Sequence, residues 1–473
     1  MTNYRNSIAY LKSPNIIPVL FIALFSCVVG LIAGWGYYSV LVMVLFCSIV
    51  LAILISRTEY VLYYYLVLGA LTFPGALDRL GGLVTLNWAR TTFLAVIYLL
   101  YSLFLVKNMH AVAKTWEGRR LLLGIFPWIG YLGITIIWAI SPMDSMRYYP
   151  KFLMAAFLAL SLMLDNRISS ERCVKMLIIG AIIFLIVSTI AAPFAQTLWP
   201  GTSTLYFEGY SGRHPSKFYI VFVALLALSL WLVNKTKKLP IFIMIHSFII
   251  LLFIVQRAAI LALVLGGLSV VLLSIKKISL SMVAKGILSL GLVILGIYVL
   301  FYTTGFQESM FKSTYGPSQF FTHLFQGDIG SALHLVRFKG RLELWQVARE
   351  LQQSLLGEGF GTTPVYLKTA FGEYNELHND MLQYLIETGY LGFALYLFMW
   401  LSLFRLGWKF RNSDDEILKS LGLSLCGFTV ALFSWSFVSH VFDYTHVSGA
   451  YLFILAALIV KRSMEKARNA SVQ

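Results

Sequence analysis

An arginine and a histidine on either side of a glycine-rich turn are the residues of this chain best suited to chemistry. Across residues 340–392 the sequence reads GRLELWQVARELQQSLLGEGFG, a short intervening piece, and then NELHNDMLQYLIETGYLG. Arg341 opens a stretch with helical spacing, in which Leu342, Trp345, Ala348 and Leu351 share one stripe and Glu343, Gln346 and Glu350 lie off it. His378 and Asn379 stand, with Glu376 and Asp380, at the head of a run that becomes wholly apolar within one turn. A guanidinium keeps its charge and donates in a fork that matches phosphate oxygens. An imidazole titrates nearest neutrality, so it can take a proton from a hydroxyl as that oxygen attacks. A fixed cation and such a base at a membrane–water boundary suit transfer chemistry on an anionic, lipid-anchored substrate.

Two further cations stand in related settings. The segment YFEGYSGRHPSK carries Arg213 and His214 among Gly209, Gly212 and Pro215, turn formers that hold both side chains at the mouth of the next helix. In IVQRAAILALVLGG, Arg257 has scarcely any polar sequence around it. A charge so close to the apolar phase is costly and is usually paired or functional. The bland reading of each is an anchor whose head reaches the interface. His323, His334, His440 and His446 lack comparable company and read as surface or supporting residues, and His246 reads as a packing histidine inside a spanning helix.

The elements that must position these residues are membrane helices. Of 473 residues, 59% are apolar and 12% charged, about half the charged share of a soluble domain. Apolar runs of spanning length fall near 15–34, 37–55, 59–76, 88–106, 121–140, 147–165, 174–193, 217–233, 239–256, 258–274, 284–302, 381–404, 417–437 and 447–460. The expected fold is all-α, a polytopic transmembrane helical bundle of about 12–14 spanning helices. No small-residue cleavage site follows the first apolar run, so no cleavable signal peptide is expected.

The net charge of +16 is a topological signal. With the N-terminus in the cytoplasm, the basic segments KNMHAVAKTWEGRR, DNRISSERCVK, NKTKK, SIKK, RLGWKFRN and KRSMEKARN all fall inside, while the opposite loops are close to charge balance. That is the positive-inside pattern. Nucleic-acid binding would need a clustered basic face and is not expected. Cys27, Cys47 and Cys426 lie in spanning segments and Cys173 in an inside loop, without metal-ligand spacing. No phosphate loop, dinucleotide fingerprint or HExxH motif occurs, so no cofactor and no metal are expected.

Residues 1–301 thus read as transmembrane helices with short loops, 302–380 as a periplasmic helical subdomain, and 381–473 as C-terminal transmembrane helices with a cytoplasmic tail. In the middle segment GEGFGTTP supplies a glycine-rich turn whose backbone could approach a substrate closely. No strand precedes it, which argues against a nucleotide-type phosphate loop.

Taken together, Arg341-x-x-x-Trp345, GEGFG, His378-Asn379, Glu387-Thr388-Gly389 and Gly392 resemble the signature of the O-antigen ligase and O-antigen polymerase superfamily. GRHP at 212–215 resembles that family's glycine–His–Pro element, with Ser216 where Asn is common. Gln256-Arg257-Ala258 resembles its Ser-Arg-Gly/Ala element, with Gln in place of Ser. The resemblance spans roughly residues 200–460. It implies a metal-independent glycosyltransferase of the bacterial inner membrane, multi-pass with both termini cytoplasmic. The donor would be a glycan on undecaprenyl diphosphate at the periplasmic face. Arg213, Arg257 and Arg341 would hold the diphosphate and His378 would activate the acceptor hydroxyl. His214, Asn379 and Trp345 would support them. A polymerase would extend O-antigen or capsular repeats, with a chain-length regulator as a partner. A ligase would pass the glycan to lipid A core or a related acceptor. A polysaccharide transporter is the non-enzymatic alternative, disfavoured because the polar residues gather on one face instead of at the midplane.

Overall fold

The computed structural model describes residues 59–68, 84–191, 215–275, 354–371, 377–441 and 447–472, apart from the turn positions 235, 237 and 255–256. Between 276 and 353 it describes only 319, 322–323, 326–328, 345 and 348. The chain divides into two compact units, Met1–Ser274 with Gln353–Gln473, and Ile275–Gln352.

All regular structure among the described residues is helical. The larger unit contains α1 (Glu59–Leu68), α2 (Val84–Phe104), α3 (Met109–Lys114), α4 (Trp116–Thr135), α5 (Pro142–Tyr148), α6 (Pro150–Leu164), α7 (Ser170–Ala191), α8 (Pro215–Val233), α9 (Lys238–Ile254), α10 (Arg257–Ser274), α11 (Thr362–Phe371), α12 (Asp380–Phe410), α13 (Glu416–Ser436) and α14 (Ser448–Val472). Among the described residues, Trp116–Trp138, Asp380–Phe410 and Glu416–Ser436 are long and apolar enough to cross a membrane, and Lys217–Val233, Lys238–Leu251 and Ala258–Ser274 are shorter apolar helices. The expected spans from 88 to 274 and from 381 to 460 therefore coincide with helices. Those at 15–34, 37–55 and 284–302 lie outside the described residues. Cys173, expected in a loop, is instead buried in the first turn of α7, and Cys426 is buried in α13.

The helices begin where their sequences allow. Thr115 caps α4 by accepting the Gly118 N–H at 3.0 Å. Asp415 caps α13 by accepting from Leu418 at 2.9 Å. Each satisfies a donor that a helix start leaves open.

Packing follows the rules of a lipid solvent, where close backbone approach through small residues substitutes for a hydrophobic drive. A Cβ on Gly266 of α10 would lie 2.6 Å from the Gly427 carbonyl of α13, and one on Gly407 of α12 would lie 2.7 Å from the Gly422 carbonyl. Every residue of α14 from Ala450 to Val460 is buried, as an apolar-all-round helix at the centre of a bundle must be. Around it Tyr219, Phe222 and Tyr451 stack at 4.8 Å between ring centroids. Outward-facing Leu100, Phe104, Leu123, Ile137 and Leu401 are exposed, as side chains facing lipid would be.

The pairings also set direction. Phe218 of α8 meets Trp435 of α13 at 4.3 Å while Phe222 meets Phe428 at 5.5 Å. Gly266 of α10 faces Ala431, and Val270, one turn on, faces Gly427. Both helices run antiparallel to α13, so α8 and α10 begin at the end where α13 finishes.

Candidate active site

The start of α12 lies at that same end. Asn379 is its N-cap, with Oδ1 accepting the Leu382 N–H at 3.0 Å. One residue earlier, His378 has φ 54°, the one described non-glycine residue with positive φ. A left-handed conformation in a side-chain-bearing residue costs about 1–3 kcal/mol and persists where the surroundings enforce it, often at functional sites. His378 is half-buried.

The enforcing contacts come from the loop after α13. The His378 backbone N–H donates to Nε2 of His440 at 2.7 Å, and the two rings lie 5.3 Å apart. His440 is 1% exposed, and its Nδ1 lies 3.3 Å from Asp380 Oδ1. Asp380, also 1% exposed, accepts the Val441 N–H through its other oxygen at 2.8 Å. The Ser448 hydroxyl at the start of α14 donates to the Val441 carbonyl at 2.5 Å. His440 is thus a deeply buried supporting residue and not a surface one. No local spacing could have marked it, because its partners lie some sixty residues away in a separate helix.

The glycine-rich turn behaves differently from expectation. α12 breaks at Gly389, where φ is 63°. The loop ahead of α11 pairs with the break: Glu358 N donates to Ile386 O at 3.0 Å, Gly359 N to Glu387 O at 2.9 Å, Tyr390 N to Ser354 O at 3.2 Å and Leu391 N to Leu355 O at 3.1 Å. Gly357, Gly359 and Gly361 all have positive φ, and a Cβ at Gly357 would strike the backbone of 387–389. One at Gly359 would strike the backbone of Ala139. Trp138 Nε1 donates to Gly357 O at 3.1 Å, and Phe360 N to Thr135 Oγ1 at 3.2 Å. The glycines therefore admit close approach of protein backbone, bolting the loop to α12 and to the end of α4. Buried Glu387 is held in this lock, accepting from Thr363 N at 3.2 Å and Gln383 Nε2 at 3.1 Å.

Of the other sequence candidates, Arg257 opens α10 at the same end of the bundle, with only its backbone described. Arg213, His214, Arg341, Glu376, His334 and His446 lie outside the described residues. Trp345 is helical and half-buried within the second unit. His323 lies 3.6 Å from Asp328 in that unit. His246 is satisfied as expected, with Nε2 at 2.9 Å from Thr189 Oγ1.

An arginine at a helix start, a strained histidine and a buried His–Asp pair at one end of a membrane bundle can neutralise an anionic group and accept a proton. Helix N-termini carry partial positive charge and favour anions. No curated protein compared with the chain matches it. Residues 242–397, from within α9 through the break in α12, match the family described as O-Antigen ligase, which supports the resemblance of this part of the chain to the O-antigen ligase and polymerase superfamily.

Proposed function

We propose that this membrane protein is a glycosyltransferase that polymerises O-antigen or capsular repeat units from an undecaprenyl-diphosphate-linked donor at the periplasmic face. The observation that carries the reading is His378, held at φ 54° at the head of α12 inside the family-matched region. Its imidazole takes the proton of an acceptor sugar hydroxyl as that oxygen attacks the anomeric carbon of the donor glycan. The new carbon–oxygen bond forms while the bond from the anomeric carbon to the diphosphate oxygen breaks, and the lipid diphosphate departs with the electron pair.

Arg213 and Arg257 bind that diphosphate, and the motif resemblance gives Arg341 the same part. Fixed cations in a partly dry site stabilise the leaving charge more in the transition state than before it. Pro215, which follows Arg213-His214, and Arg257 open helices at the end of the bundle occupied by His378, and this supports a shared role. Membrane lipids and the lipid-linked donor are the partners required. The second reading, an O-antigen ligase passing the finished glycan to lipid A core, is favoured by the description of the matching family. The acceptor separates the two: a polymerase yields a ladder of lengthened lipid-linked chains, a ligase a single transfer to lipid A core.

The test is donor binding and turnover measured on one purified His378→Ala protein with lipid-linked donor and acceptor. Turnover is expected to fall by about two to four orders of magnitude, the usual worth of a positioned base, with donor binding retained. Lost binding with high residual turnover would make His378 a diphosphate ligand and place the base elsewhere.

A further inference from the structure

We propose that Asp380 and His440 form a positioning pair that sets the backbone, and hence the imidazole, of His378. The inference rests on His378 being the base, and it assigns a function to two residues that touch neither the diphosphate nor the acceptor.

The hydrogen-bond directions leave one protonation pattern. The His378 backbone N–H can only donate, so His440 Nε2, 2.7 Å away, presents a lone pair. A neutral imidazole then carries its proton on Nδ1, which faces Asp380 Oδ1 at 3.3 Å. The other carboxylate oxygen is taken by the Val441 N–H at 2.8 Å. Both oxygens of Asp380 therefore accept, one from a group whose proton cannot move and one from a ring whose proton can. Asp380 fixes the His440 tautomer, His440 captures the His378 N–H, and that bond pins the peptide plane from which His378 turns into α12 at φ 54°. Burial of Asp380 and His440 at 1% exposure each keeps water from substituting for either partner.

A pair that merely filled space would behave differently from one that sets a tautomer. In Asp380→Asn the side chain keeps its shape but must turn one NH2 toward a neighbour. It cannot face the Val441 N–H, so it faces His440 Nδ1. The ring proton then shifts to Nε2 and opposes the His378 N–H, as in other sites where an amide in place of a carboxylate enforces the wrong tautomer. His440→Gln keeps an acceptor oxygen for that N–H, whereas His440→Leu fills a similar volume with none.

The experiment uses the full chain in vesicles with lipid-linked donor and acceptor, reading kcat, donor KM and thermal unfolding for Asp380→Asn, His440→Gln and His440→Leu beside His378→Ala. His440→Leu and Asp380→Asn are each expected to lose about a hundredfold in kcat at unchanged donor KM, part of what a positioned base contributes. His440→Gln is expected to stay within about tenfold of the parent. Equal kcat for the Gln and Leu proteins, or parental kcat in a folded Asp380→Asn protein, would overturn the positioning role while leaving the base assignment standing. Parental turnover in His378→Ala would overturn both. Should His440→Leu fail to fold, Asp380→Asn alone decides, because it changes a tautomer without changing a shape.

Discussion

The two ends of the bundle handle polar groups in opposite ways. Where α6, α12 and α14 finish, charge answers charge. Arg462 pairs with Asp415 at 2.9 Å, Arg167 with Asp165 at 2.9 Å and Lys409 with Glu117 at 2.7 Å. Lys461, 4% exposed, donates to the carbonyls of Leu162, at 3.0 Å, and of Asp165. Glu465 accepts from both the backbone N–H and the hydroxyl of Ser170, at 2.8 and 2.5 Å. These contacts tie α14 to the turn between α6 and α7 and to the cap of α13. At the other end a hydrogen-bonded relay of one carboxylate, one imidazole and one backbone N–H holds a strained histidine, and Arg257 opens α10 there. At the first end the Arg462–Asp415 and Lys409–Glu117 pairs serve to hold helices together. Under the proposed function, the second end is the one that meets the diphosphate of the donor.

Substitutions at three positions probe that contrast. Arg257→Ala should cost roughly 3 kcal/mol in the transfer barrier, more than a hundredfold in turnover, with the unfolding temperature unmoved. Lys should rescue it only in part, since a point charge does not reproduce the two-pronged geometry. Full activity in a folded Arg257→Ala protein would show an anchor and erase the functional difference between the ends.

Lys461→Met inverts the pattern. It leaves two buried carbonyls without their ammonium donor, and stability should fall by about 1–3 kcal/mol. Transfer per folded molecule should be unchanged, as separate unfolding and activity measurements would report. A loss of turnover without a loss of stability would mean that the basic end takes part in transfer.

The smallest effect is expected at Asp415. Burial acts to raise its carboxyl, but the side-chain hydrogen bonds from Arg462 and the Leu418 N–H outweigh it and hold the group below the usual carboxylate range. Because the folded value lies below the unfolded one, its stabilisation is complete at neutral pH and is lost as pH falls through the folded value. Asp415→Asn keeps the cap oxygen and removes the charge, so it should cost about 1 kcal/mol or less near neutrality. The gap from the parent in denaturant unfolding should narrow as pH falls through the carboxylate range and close once Asp415 is protonated in the folded protein. A gap that persists in acid would assign the cost to packing.

Much of the fold was legible because its signals are local. An apolar run of some twenty residues commits itself to a helix through solvent alone, and the expected run at 381–404 lies inside Asp380–Phe410. His378-Asn379 stood out for the same reason, being polar residues at the head of such a run, and Asn379 is indeed the cap. GEGFG was recognisable as a turn, but its partner was not. The Glu387-Thr388-Gly389 break it locks onto is distant in sequence, and only the backbone hydrogen bonds between them reveal the lock.

Composition and apolar periodicity by themselves determined the membrane class and the all-helical bundle, and motif order gave the resemblance that the family match at residues 242–397 supports, because each depends on neighbours within a turn or two. Tertiary structure alone decided that α8, α10 and α12 start at one end, that the glycines serve a backbone lock, and that His440 with Asp380 seats His378. Those facts depend on which helices lie side by side, and helix packing is settled by pairs such as Gly266 with Ala431 and Phe218 with Trp435, contacts between residues far apart in the chain that no local pattern encodes.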